Sequence, residues 1–158
     1  MQTPPVLVSF ASLSGADVYA LLALRQRVFI VEQACAYLDA DGLDQNARHL
    51  LLRDERGVLI ACTRVLANGV RFETISIGRV VVAPERRLEK LGRRVMEATI
   101  RAIEASDGRV PITLAAQAHL ERFYASLGFV TISAPYDEDG IPHVDMRRDR
   151  SAAGALRA

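Results

Sequence analysis

The chain has 158 residues, half of them apolar, with a formal charge of +1. That length predicts one domain with a full hydrophobic core, and the near-neutral charge excludes a general nucleic-acid binder while leaving room for a local basic patch. No stretch reaches the ~18 apolar residues needed to span a bilayer, so no membrane association is expected.

Two prolines precede "VLVSF", which reads as a short first strand. "SGADVYALLALRQRVFIVEQ" reads as a helix, with Asp17 as its cap and Val18, Leu21, Leu22 and Phe29 at helical spacing. "ACAYLDADGLDQNA" is rich in Asp, Asn and Gly and predicts a loop whose Asp39 and Asp41 are solvated. Three strands follow. "RHLLLRD" and "VLIACTRVLA" flank the turn "ERG", and "NG" then leads into "VRFETISIGRVVVA". Strict alternation in that third strand puts Glu73, Ile75, Ile77, Arg79 and Val81 on one face. Gly78 there predicts a bulge. Arg79 stands on an otherwise apolar face and needs a carboxylate partner; Arg25 and Arg64 are expected to face solvent.

From Leu88 to about Ser106 the apolar period is helical, and "SDG" ends it. "VPITLAA" is a further strand. "HLERFYASLG" is a short helix with Leu120, Phe123 and Leu127 on its core side and Gly128 as its stop. "FVTIS" and "HVDMRR" pair around "DEDGIP", and the tail "SAAGALRA" is expected to fray. With no repeat and no linker, this order predicts an α+β (α/β mixed sheet) domain over residues 1–150 and a tail over 151–158.

The chain carries two cysteines, Cys35 and Cys62, with no CxxC pair, and no leader pattern opens it. This predicts free thiols and a cytoplasmic location. The three histidines, His49, His119 and His143, lack metal-ligand spacing, so no metal is expected.

The stretch "VVVAPERRLEKLGRRVM" joins a strand end, a cationic turn and a helix start. Unpaired N–H groups at a helix N-terminus attract anions. Arg86, Arg87 and Lys90 add charge there, and Gly92 leaves the backbone open to a ligand. Spacing alone leaves a diphosphate cradle and a merely solvated basic loop level with each other. No GxxxxGK[ST] and no GxGxxG is present, which argues against a nucleotide binder of another kind.

This stretch resembles the acyl-CoA-binding motif of the GNAT acetyltransferase superfamily, Arg/Gln-x-x-Gly-x-Gly/Ala. It runs here from Arg87 to Gly92, with Lys90 at the middle glycine. "QAHLERFYASLGF" is similar to the family's Asn-x-x-Ala-x-x-Phe-Tyr-x-x-x-Gly-Phe helix. Phe123, Tyr124, Gly128 and Phe129 agree, while Gln117 and Leu120 depart. "LRQRVFIVEQ", "YLDADGLD", "RHLL" and "DEDGIPHVDM" extend the resemblance to the ElaA-like branch, over about residues 17–148.

The resemblance implies a central, mostly antiparallel sheet of six or seven strands flanked by about four helices. It implies that the strand ending at Val82 and the strand "ITLAA" splay, so that the pantetheine arm of acetyl-CoA pairs with Val80, Val81 and Val82. The diphosphate would lie over Arg87, Leu88, Glu89, Lys90, Leu91 and Gly92, reaching Arg93, with Gln117 and Tyr124 also at the carrier. The implied reaction moves an acetyl group directly to a primary amine in a ternary complex. An N–H near Val81 would serve the oxyanion, and Tyr124 would be the proton donor to sulfur. For the base, Glu32, Glu73, His49, His119 and His143 stay open. Glu32 and His119 are taken as catalytic candidates, and Glu32, Glu73 and His143 as substrate-binding ones. The partners expected are acetyl-CoA, an amine and, as the family allows, a second copy in a homodimer. A reading from another class is a CoA-binding sensor or interaction module without turnover.

Overall fold

A computed structural model describes residues 5–151. The elements are β1 (Leu7–Ser9), α1 (Gly15–Arg25), β2 (Arg48–Arg53), β3 (Leu59–Leu66), β4 (Ile75–Val82), α2 (Leu91–Asp107), β5 (Ile112–Gln117), α3 (Glu121–Ala125), β6 (Val130–Thr131), β7 (Tyr136–Glu138) and β8 (Ile141–Arg148). Residues 152–158 of the expected tail lie outside the described residues. Among the described residues no helix is long and apolar enough to cross a membrane.

The sheet has eight strands, in the order β1-β2-β3-β4-β5-β8-β6, with β7 also on β8. Six or seven were expected. The extra strand arises because one edge of β8 is shared: β7 pairs with its start, Ile141 to His143, and β6 with Met146 and Arg147 near its end. Only β4 and β5 run parallel.

Helix α1 covers one face of this sheet. Leu21 and Leu24 pack there with Val28, Leu59, Cys62 and Val81. Helices α2 and α3 cover the other, where Met96, Ile100 and Ile103 meet Ile77, Leu114, Tyr124 and Met146. Strand β3 is buried along its whole length, as a central strand covered on both faces must be.

The cap of α1 is Ser14, not Asp17. The Ser14 hydroxyl accepts from the Asp17 N–H, and the Asp17 carboxylate accepts from the Ser14 N–H at 2.9 Å. This reciprocal box satisfies two of the donors a helix start leaves unpaired. The expected continuation to Gln33 changes winding at Gln26, and Gln26–Glu32 forms a π-helix.

Strand β4 begins at Ile75, and Glu73 lies before it in an exposed bend. Its alternation is broken. Cys62 pairs with Val81 but Arg64 with Gly78, so Thr63 alone faces two residues. The bulge sits at Arg79, which adopts φ +49°, rather than at Gly78. An extra residue reverses which side later residues face. Ile75 and Ile77 therefore join the α2 core while Val81 joins the α1 core, although an unbroken strand would put them together.

The bulge also turns Arg79 out of the apolar α2 core into a buried ion network on the α1 side. Arg25 Nε is 2.8 Å from Asp39 and its Nη1 is 2.6 Å from Asp44. Arg64 grips Asp41 with two bonds of 2.7 and 2.9 Å. Arg79 reaches Asp39 at 2.8 Å and Asp41 at 3.2 Å. Arg25 and Arg64, expected in solvent, are 0% and 2% exposed, and Asp39 is 5% exposed. Asp41 is exposed and Arg79 half-buried at the edge of this set, and three guanidinium groups against three carboxylates leave no net charge, which is what makes burial of the inner members tolerable.

Candidate active site

The ladder between β4 and β5 holds for two residue pairs only, Ile75 with Ile112 and Ser76 with Thr113. Beyond Ser76 the strands part, and a cleft of about 770 Å³ opens between them. Val80, Val81 and Val82 line one wall; Leu114, Ala115 and Gln117 line the other. A strand edge without its neighbour keeps unpaired backbone donors and acceptors, the kind of edge on which an extended ligand adds as a further strand.

Past Val82 the chain makes a 3-10 turn, Pro84–Glu89, and α2 starts at Leu91 rather than at Leu88. Lys90 joins the two with φ +56° and ψ +27°. Glycine adopts that left-handed geometry without a Cβ penalty; here a lysine adopts it. The first N–H groups of α2 thus face out from a turn that carries Arg86, Arg87 and Lys90, and such a helix start suits a diphosphate. A Cβ on Gly92 would meet Phe123 at 3.7 Å and Val82 at 4.0 Å. Packing alone does not demand glycine there, and its bare backbone lines the cleft.

The other residues of this segment divide. Arg87 lines the cleft. Leu88 is 100% exposed, while Leu91 is 0% exposed and packs with Leu50 and Ile60, so only its backbone is available to an anion. Arg86 is held by Glu89 and Asp54. Arg93 binds Glu97 one turn along α2 and Ser126 at the end of α3. Among the described residues Lys90 has no ion pair.

Tyr124 lines the cleft from α3. Phe123 and Phe129 contact its ring edge-on, at 5.0 and 6.2 Å between centroids. Burial pushes its hydroxyl up to about 12, so it holds its proton at neutral pH. Among the described residues that hydroxyl has no hydrogen-bond partner, which leaves its proton free for a group in the cleft.

The remaining candidates are spread around the opening. The π-helix, whose Val28 and Ile30 carbonyls accept from the Gln33 and Cys35 N–H groups five residues on at 3.1 and 3.2 Å, presents Phe29 and Glu32 to the cleft, with Gln33 just beyond its end. Glu32 meets Arg87 at 2.5 Å across the mouth. Gln117 donates to Gln33 at 3.3 Å. His119 is exposed at the rim, and His143 is buried at the inner end. Glu73 is not part of the lining, because the bend before β4 carries it away. His49, on β2, is 0% exposed with Nε2 on the Asp44 carbonyl, and burial lowers its basicity; it does not line the cleft. Sequence reasoning passed over Tyr37, Arg71, Phe72 and Glu138, all of which line it. They come from three separate segments, the loop at Tyr37, the bend at Arg71 and Phe72, and strand β7, and only the odd placement of Arg79 hinted at this side of the molecule.

A mixed sheet parted between its parallel strands, with a basic helix start beside the opening, defines the GNAT architecture. The family model described as "Acetyltransferase (GNAT) domain" matches residues 18–150, and the chain belongs to that family. Within it the chain groups with the ElaA-like proteins. It is 43% identical over 143 residues to Protein ElaA of Escherichia coli strain K12, covering 88% of this chain and 92% of that protein. The crystal structure of Escherichia coli ElaA superposes with a TM-score of 0.84 at 39% identity, over 92% of this chain and 98% of that one. An acyl-CoA N-acyltransferase from Pseudomonas aeruginosa gives the same TM-score, 0.84, at 41% identity, over 92% and 99%.

Proposed function

We propose that the protein is an N-acetyltransferase that moves an acetyl group from coenzyme A thioester to a primary amine by direct transfer in a ternary complex. The observation that carries this reading is the parting of β4 from β5 after Ser76 and Thr113, with the start of α2 beside it. The similarity to an acyl-CoA N-acyltransferase supports the choice of thioester. The Val80–Val82 edge would hold the pantetheine arm by backbone bonds, and Arg87, Lys90 and the α2 N–H groups would hold the diphosphate.

Three chemical needs follow. The ammonium must lose a proton to a base at the cleft, where Glu32, His119 and His143 stand. The tetrahedral oxyanion needs a donor already in place, and a backbone N–H near Val81 serves. The departing thiolate needs a proton, and the Tyr124 hydroxyl supplies it. Free thiols at Cys35 and Cys62 suit a reducing, cytoplasmic setting.

The test is thiol release from acetyl-CoA with a panel of amines: a polyamine, an aminoglycoside and a peptide with a free N-terminus. Acetyl-CoA binding by calorimetry runs alongside. Release with at least one amine is expected. Binding without release across the panel would make the chain a CoA-binding module instead.

A further inference from the structure

We propose that His143 is the general base of this reaction and that Glu138 positions it; this rests on the transferase reading above. Register places the residue. His143 pairs with Gln117 across β5 and β8, next to Ala116 opposite Val144. Ala116 and Val144 belong to the α2-side core, so Gln117 and His143 face the α1 side. Tyr124 belongs to the α2-side core. Proton donor and proton acceptor therefore approach the opening from opposite faces of the sheet, as an amine attacking one side of a thioester requires.

The hydrogen bonds decide what the ring can do. His143 Nδ1 is 2.8 Å from the Ile141 carbonyl. A carbonyl only accepts, so Nδ1 carries the hydrogen and the neutral ring keeps its lone pair on Nε2. Nε2 lies 3.4 Å from Glu138, whose carboxylate stabilises the imidazolium once a proton arrives. Glu138 is itself held by Arg71 at 2.6 Å. Tyr136 stacks on the ring at 6.1 Å and 25°, and its hydroxyl donates to Asp145 at 2.6 Å. These are the titratable and charged groups around the ring: Glu138 and Tyr136 from β7, Asp145 from β8 and Arg71 behind Glu138.

The two rivals are less well placed. Glu32 is tied to Arg87, at the diphosphate end. His119 is exposed and among the described residues has no hydrogen bond to orient it. His143 is 9% exposed yet lines the cleft.

The proton balance closes. His143 Nε2 takes one proton from the ammonium and passes it to water. The neutral amine forms the C–N bond, the C–S bond breaks, and the thiolate takes the Tyr124 proton. The new amide nitrogen sheds its surplus proton, which restores Tyr124.

The test compares wild type, His143→Gln and Glu138→Gln for thiol release with acetyl-CoA over a pH series, using an alkylamine and a weakly basic amine already neutral at pH 7. Acetyl-CoA binding of each variant by calorimetry confirms a folded carrier site. His143→Gln is expected to lower kcat/KM for the alkylamine roughly 10²–10⁴-fold, to remove the acid-side inflection and to bind acetyl-CoA as wild type does. The loss should be much smaller for the weakly basic amine, which needs no deprotonation beforehand. Glu138→Gln should lower kcat several-fold and leave KM nearly unchanged, because the imidazolium loses its counter-charge. An unchanged pH profile in His143→Gln overturns the assignment while leaving the transferase reading intact. A wild type that binds acetyl-CoA and releases no thiol overturns both.

Discussion

Arg25 Nη1 lies 2.6 Å from Asp44 Oδ1, with neither side chain more than 9% exposed. The pair ties α1 to the loop ahead of β2, and Arg64 and Arg79 extend it to β3 and β4. The network therefore holds the loop that forms part of the cleft wall.

Removing one partner of a buried pair leaves the other charge without compensation. Arg25→Met is expected to cost about 3–5 kcal/mol, read from urea denaturation. Arg27→Ala breaks only the pair with Glu85, where the side chains are 53% and 59% exposed, and should cost about 0–1 kcal/mol. Equal effects would mean that the buried network contributes no more than a surface contact.

Acid should drain the same network. Burial alone would raise the Asp41 carboxyl, but the Arg64 hydrogen bond, the Leu43 N–H and the Arg64 and Arg79 charges outweigh it and hold it at about 2. Asp44 is lowered in the same way, with Arg25 and Arg64 outweighing its burial. A carboxylate whose folded value lies below its unfolded value of about 4 stabilises the fold above that pH and less with each step below it. The thermal midpoint should therefore hold above about pH 4 and fall between pH 4 and 2 on this account. Asp41→Asn should make that fall shallower; an unaltered acid limb would remove Asp41 from it.

Tyr124→Phe should lower kcat by roughly 10²-fold or more and leave the acetyl-CoA dissociation constant nearly unchanged. Its folded stability should hold, because among the described residues the hydroxyl has no partner to lose. Since burial holds that hydroxyl at about 12, wild-type kcat should show no alkaline fall from Tyr124 below about pH 10. Full turnover in the variant would remove Tyr124 from the acid role.

Lys90 is the chain's only lysine. Lys90→Gly relieves a left-handed residue at about 1 kcal/mol and adds comparable freedom to the unfolded chain. The thermal midpoint should barely move. Acetyl-CoA should bind a few-fold more weakly, with less salt dependence, because one cation near the diphosphate is gone. Calorimetry at low and high salt reads both; unchanged affinity and salt dependence would place Lys90 outside the contact.

Thiol reactivity should separate the two cysteines. Burial pushes the Cys62 thiol up to about 12, so a maleimide should leave it untouched until the chain unfolds. Cys35 lines the cleft and donates to the Asp139 carbonyl at 3.2 Å. Mass spectrometry after native labelling should find Cys35 as the first thiol modified. Early modification of Cys62 would contradict its enclosure.

The strand, turn and helix start beside the cleft were readable in advance because they are local. Val80 to Gly92 is one continuous strand, turn and helix start, and Tyr124 sits in a short helix with its own motif. The rest of the cleft lining was only partly so. Glu32 and His143 were singled out, but Arg71 lies far along the chain from the hairpin that carries Glu138 and His143, and nothing in its spacing says that they meet. The same limit misplaced Asp39, Arg25 and Arg64, which look like surface charges one at a time and are buried against one another and Asp44 only when the segments converge; Asp41, at the edge of the network, is exposed as expected.

Apolar periodicity and turn chemistry, which depend on neighbours a few residues away, were enough to settle the order of the elements, the mixed sheet and the basic entry to α2. Strand alternation could not foresee the bulge at Arg79. Its left-handed backbone is maintained by partners on the loop ahead of β2, and the choice between burying Val81 under α1 or under α2 exists only once β3 lies beside β4. Which charges are buried, and which side chains face the opening, were decided by tertiary packing, because desolvation and Coulomb attraction act through space rather than along the chain.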